Sequence, residues 1–82
     1  DWRFATQEDC EKAWHDICDL IQLYGQITVA EVKEIAGVKS SSSEDTKRGW
    51  IETIGMFIRP EKDGIWTIHL PEPKRLSKRG SY

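Results

Sequence analysis

Ile27-Thr28-Val29-Ala30-Glu31-Val32-Lys33-Glu34-Ile35-Ala36-Gly37 carries both the start and the stop of a short helix. Thr28 is suited to the N-cap, because its hydroxyl can accept from the free N–H of Glu31 while the Glu31 carboxylate accepts in return from the N–H of Thr28. Ile27, just outside the helix, and Val32, at its fourth position, form an apolar staple, and Gly37 supplies the left-handed residue that ends it. Val29, Val32, Ile35 and Ala36 share the inward face. Such a segment cannot stand alone, since isolated helices shorter than about 12–15 residues are marginal in water. The stretch therefore demands a longer helix and a sheet around it.

The longer helix begins at Thr6, a second N-cap followed three residues on by Asp9, with Gln7, Glu8 and Asp9 suiting the positive end of the helix dipole. Cys10, Ala13, Trp14, Ile17, Ile21 and Tyr24 recur at helical spacing, Leu20 widens the stripe, and Gly25 closes the helix. Ahead of it, residues 1–5 form a lead-in whose Trp2 and Phe4 are expected to dock on the body. Gln26 and Ile27 give one extended step between the helices.

Beyond Gly37 the chain is polar from Lys39 to Arg48, with a run of four serines, and it reads as the main loop, mobile by composition. A β region starts at Gly49-Trp50-Ile51, with Gly55 as a break. Met56 to Arg59, a turn through Asp63-Gly64, and Ile65 to Leu70 read as a β-hairpin, because Asp-Gly between two apolar runs is a strong turn signal. Alternation in the last strand predicts Trp66, Ile68 and Leu70 toward the helices, with Ile65, Thr67 and His69 half exposed. The expected core is Trp14, Ile17, Ile21, Val32, Ile35, Trp50, Trp66 and Ile68. Pro71 and Pro73 end the sheet, and residues 74–82 form a loose basic tail with Lys74, Arg75, Lys78 and Arg79. The fold class is α+β: one long and one short helix on a small antiparallel sheet with a C-terminal hairpin, the domain spanning residues 6–73.

At 82 residues the chain makes one domain that buries only about 60–65% of its unfolded surface. A deep catalytic cleft is not expected. Four Trp, two Phe and two Tyr supply an aromatic core. No apolar run approaches the roughly 18 residues that cross a bilayer, and there is no signal-peptide pattern, so no membrane role is expected. The net charge of −2 hides an asymmetry: residues 1–46 hold ten Asp/Glu against four Lys/Arg, residues 47–82 eight Lys/Arg against four Asp/Glu.

Cys10 and Cys18 sit eight apart on one helix, about 12 Å by helical rise, too far for a disulfide. Free thiols and no disulfide framework point to an intracellular setting. His15 and His69 lie on different elements without further ligands at metal spacing, and no phosphate-binding glycine loop or dinucleotide fingerprint is present. No enzyme activity, cofactor or metal is expected. Glu31 to Val38 looks like the first helix and turn of a helix-turn-helix with the hairpin as a wing, but Lys39, four serines, Glu44 and Asp45 stand where a recognition helix would start. Winged-helix nucleic-acid binding is therefore the second reading, carried mainly by the basic tail.

Three blocks carry a resemblance: Gly25-Gln26-Ile27-Thr28-Val29-Ala30-Glu31-Val32, then Asp45-Thr46-Lys47-Arg48-Gly49-Trp50, then Asp63-Gly64-Ile65-Trp66 running to Leu70-Pro71-Glu72-Pro73. Together, residues 24–76 resemble a small domain that recurs in tailed-bacteriophage proteins, with Glu31 in place of an Asp and the four-serine loop as departures. The resemblance implies an α+β module of phage origin, possessing no settled activity and no catalytic residues to carry across. The expected function is a non-enzymatic protein-interaction or assembly module, with Asp45, Lys47 and Arg48 at the partner contact, Asp45 and Lys47 paired at the loop's exit, and any nucleic-acid affinity weak.

Overall fold

The computed structural model describes residues 2–39 and 42–76. The two helices are α1 (Gln7–Tyr24) and α2 (Val29–Ile35), and both begin where their caps require. Thr6 Oγ1 accepts from Asp9 N at 3.1 Å. At Thr28 both halves of the capping box are formed, with Glu31 N donating to Thr28 Oγ1 at 3.1 Å and Thr28 N donating to Glu31 Oε1 at 2.9 Å. Gly37 takes φ +77°, and the bonds Val38 N to Lys33 O (2.7 Å) and Gly37 N to Glu34 O (3.1 Å) close α2 in a Schellman motif. Ile27 and Val32, the staple pair, are both buried in the core. Thr28→Ala is expected to cost about 1 kcal/mol. Native-state hydrogen exchange at Val32 should accelerate accordingly; unchanged exchange there would mean the box contributes nothing.

Among the described residues, six short strands form two three-stranded antiparallel sheets rather than the single sheet expected. One is ordered β1-β5-β4, from Trp2–Phe4, Trp66–His69 and Phe57–Pro60. The other is ordered β2-β3-β6, from Ile27–Thr28, Arg48–Trp50 and Lys74–Arg75. β4 and β5 are the expected hairpin, paired Phe57↔His69 through Pro60↔Trp66. Its turn works because Asp63 (φ 63°) and Gly64 (φ 77°) both take the left-handed region that Asp-Gly favours. The lead-in docks as a strand, with Trp2 opposite Ile68 and Phe4 opposite Trp66.

α1 lies over the inner face of the first sheet and beside α2. Ile17, Val32, Trp50 and Ile68 are buried as expected, with Trp14, Ile21, Ile35 and Trp66 half-buried against them. Cys10, Ala13, Ile27 and Met56 complete the centre.

The facing of β5 needs one correction. Thr67, expected half exposed, is buried. An edge strand would have left it open, but β1 makes β5 the central strand, and Arg3 and Arg59 stand directly opposite Thr67 on either side. Its Oγ1 has no hydrogen-bond partner among the described residues. Because an unpaired buried hydroxyl carries a desolvation cost, Thr67→Val is expected to leave stability unchanged or raise it by about 1 kcal/mol. A loss of that size in a urea titration would show that the hydroxyl is bonded.

Candidate interaction surface

β3 is the element on which the expected contact residues converge. Gly49 is buried against β2, where Thr28 is its ladder partner, while β6 pairs on the other edge with Arg48↔Arg75 and Gly49↔Lys74. Leu76 N extends that side by donating to Lys47 O at 2.8 Å. Two side chains of β3 then strap down the Pro-x-Pro segment. Trp50 Nε1 donates to Pro71 O at 2.8 Å, and Arg48 Nη2 donates to Pro73 O at 3.0 Å. Residues one and three positions along β3 thus meet carbonyls two apart, which ties the Gly49-Trp50 block to the Leu70-Pro71-Glu72-Pro73 block as one unit.

Two expectations are corrected here. Lys74 and Arg75 do not belong to a loose tail; they are β6, because the open edge of β3 satisfies their backbone groups, something their charges alone did not reveal. Lys78 and Arg79 lie outside the described residues. Asp45 does not pair with Lys47 either. A 3-10 helix at Ser43–Thr46, capped by Ser42 Oγ on Glu44 N at 3.2 Å, turns Asp45 toward α2, where it meets Lys33 Nζ at 2.6 Å. Lys47 instead lies 3.7 Å from Glu44 in an exposed pair. The part of the loop from Ser42 onward is therefore held against α2, while Ser40 and Ser41 lie outside the described residues.

Of the three residues expected to meet a partner, Arg48 lies on the strapped edge, Lys47 is exposed beside it, and Asp45 is engaged in tethering the loop. The structure places Arg48 directly across the ladder from Arg75, with Lys74 adjacent. Like charges in directly opposed positions are destabilising. The edge thus brings three cationic residues together.

Sequence reasoning missed the apolar part of this surface. After Trp50 the chain turns through Ile51 to Gly55, closed by Met56 N donating to Thr53 O at 3.0 Å, and leaves Ile51 62% and Ile54 76% exposed. Beside them runs a groove of about 250 Å³ lined by Trp50, Ile51, Ile54, Pro71 and Leu76, with Glu52 and Glu72 at its margin. The signal was weak: Ile51 and Ile54, three apart before a glycine, break strand alternation in a segment that otherwise reads as strand, and nothing in that spacing marks them as exposed.

Both cysteines are free thiols on α1, Cys10 buried and Cys18 half-buried. Burial, and secondarily the Glu11 carboxylate, pushes the Cys10 thiol above its ordinary range, and burial with Asp19 does the same at Cys18. Both stay protonated near neutrality, whereas a nucleophilic cysteine needs its thiolate. No group of three or more His, Cys, Asp or Glu among the described residues could hold a metal ion. His69 stacks on Phe57 at 4.8 Å on the hairpin, and His15 is exposed on α1. No helix among the described residues is long and apolar enough to cross a membrane.

Comparisons with protein-family models, with curated proteins and with solved structures find no match to the chain.

Proposed function

We propose that the chain is a non-enzymatic protein-interaction or assembly module of a bacteriophage protein, working in the host cytoplasm or as part of a virion. The phage setting rests on the three sequence blocks. The interaction reading rests on one observation: Ile51 and Ile54 stand open beside the paired strands β3 and β6, which present Arg48, Lys74 and Arg75. Exposed apolar groups rimmed by polar ones are what protein partners bury. The module contacts its partner through the Ile51–Ile54 turn and the basic edge, and the favoured partner segment is apolar with acidic residues.

Winged-helix nucleic-acid binding is the second reading, and the basic edge is its support. Against it, α2 is followed by a 3-10 helix of four residues at Ser43–Thr46 in place of a recognition helix, and Glu44 is exposed there. Carboxylates at that position would face phosphates.

Peptide selection on the immobilised protein tests the first reading. Acidic, apolar peptides should be enriched, and their binding should fall at least about tenfold in an Ile51→Ser, Ile54→Ser variant that melts like the parent, the loss of a central apolar contact. A parallel gel-shift titration tests the second. Nucleic-acid binding should be weak and collapse between about 50 and 200 mM salt. Sequence-selective duplex binding below about 0.1 μM at physiological salt, surviving removal of residues 77–82, would overturn the interaction reading. The deletion stops there because Lys74 and Arg75 are part of the sheet.

A further inference from the structure

A second surface has the opposite character. A groove of about 610 Å³ runs between α1 and α2, lined by the apolar Phe4, Leu20 and Ile35 and by the carboxylates of Asp9, Asp16 and Glu34. Glu31 also borders it, but its carboxylate is held by the N–H of Thr28. Lys12 is the one cation lining it among the described residues. Pockets of about 300–1,000 Å³ take drug-sized ligands, so two isoleucine side chains fit with room to spare.

We propose that the partner is a second copy of this chain, joined head to tail, with the Ile51–Ile54 turn of one molecule seated in the α1–α2 groove of the next. This rests on the interaction-module reading above. Ile51 and Ile54, beside Lys74 and Arg75 in a lining that also holds Glu52 and Glu72, meet a groove lined by Asp9, Asp16 and Glu34, and Lys12 offers a counter-charge for Glu52 at the turn. The two surfaces do not meet within one molecule. The two grooves share no lining residue, and Lys33 of α2, bound to Asp45, lines neither. Complementary patches on separate sides of a molecule make a heterologous contact, which propagates into chains or closes into rings. The charged rims set register and speed association, and salt weakens them.

Sedimentation equilibrium decides it, using the whole chain at low ionic strength from about 10 μM to about 1 mM, the span of weak to moderate affinities. The parent should rise in mass past the dimer as concentration increases. Ile54→Asp blocks the turn; Asp16→Lys with Glu34→Lys blocks the groove; each should remain monomeric while melting like the parent. Mixed in equal amounts they should form a one-to-one dimer and nothing larger, because one intact turn then meets one intact groove. Glu11→Lys with Asp19→Lys makes the same charge change away from the groove and should assemble like the parent. A parent that stays monomeric throughout overturns the proposal, as does a mixture that fails to pair or a control that fails as badly as the groove variant. Peptide selection through Ile51 and Ile54 that succeeds while the parent stays monomeric leaves the interaction reading standing with a foreign partner and removes only the self-assembly.

Discussion

Gly49→Ala is expected to abolish the folded state. A Cβ on residue 49 would lie 1.9 Å from the carbonyl oxygen of Ile27 and 2.8 Å from Cα of Thr28, and both neighbours are backbone that no rotamer change can clear. The cause is close approach of two strands; the backbone angles of Gly49 are open to any residue. To admit a methyl group, β3 must leave β2, which breaks the Ile27↔Trp50 and Thr28↔Gly49 pairings and draws Trp50 from the core. Overpacking typically costs about 1–3 kcal/mol where side chains can yield. Here nothing yields, and a loss of about 4 kcal/mol or more approaches the whole stability of a domain this size, given about 0.05–0.15 kcal/mol per residue. Urea titration followed by circular dichroism is the check. A Gly49→Ala protein with the parent's midpoint would mean that β2 and β3 are not in contact.

Trp50→Ala should cost about 3–5 kcal/mol, the usual range for emptying a buried aromatic site. The side chain is only 8% exposed and packs with Ile27, Val32 and Met56 in the central cluster. Its loss also removes the N–H that Pro71 O accepts at 2.8 Å, so of these two straps on the Pro71–Pro73 segment the Arg48 bond alone would remain. Trp50→Phe separates the two effects. It retains most of the apolar volume and forfeits the donor, for an expected cost of about 1–3 kcal/mol. Equal losses in the two variants would show that packing around the indole is unimportant; a negligible loss in Trp50→Ala would remove Trp50 from the core.

The parts of this fold that could be read from the sequence are those whose signals are local. Thr6 with Asp9, Thr28 with Glu31, and Asp63 with Gly64 each decide a structure within three residues, and α1, α2 and the β4–β5 hairpin followed from them. The parts that escaped depend on distant partners. β1 and β6, at three and two residues, are too short to show alternation, and each becomes a strand only because β5 or β3 offers an unpaired edge. The burial of Thr67 is a consequence of β1, so missing the one entailed missing the other. The Lys33–Asp45 pair spans twelve positions and needs the 3-10 helix to form, which a run of serines does not announce. At the interaction surface, charge drew attention to Lys47, Arg48, Lys74 and Arg75, while Ile51 and Ile54 carried no pattern that marks an exposed turn.

The pairing of Trp2 with Ile68 also governs how the chain reaches this structure. β1 finds its ladder only on β5, more than sixty residues further on, so during synthesis α1 can coil early but the sheet beneath it cannot close until residues 66–69 have left the ribosome. Contacts so distant in sequence slow folding, because the entropy of closing the intervening loop is spent before the pairing returns it. Until then the apolar stripe of Cys10, Ala13 and Ile17 has no floor. A chain cut before β5, or one lacking Trp2 to Phe4, would keep its helical signals and lose the closure, leaving a species prone to collapse and association rather than a smaller working domain.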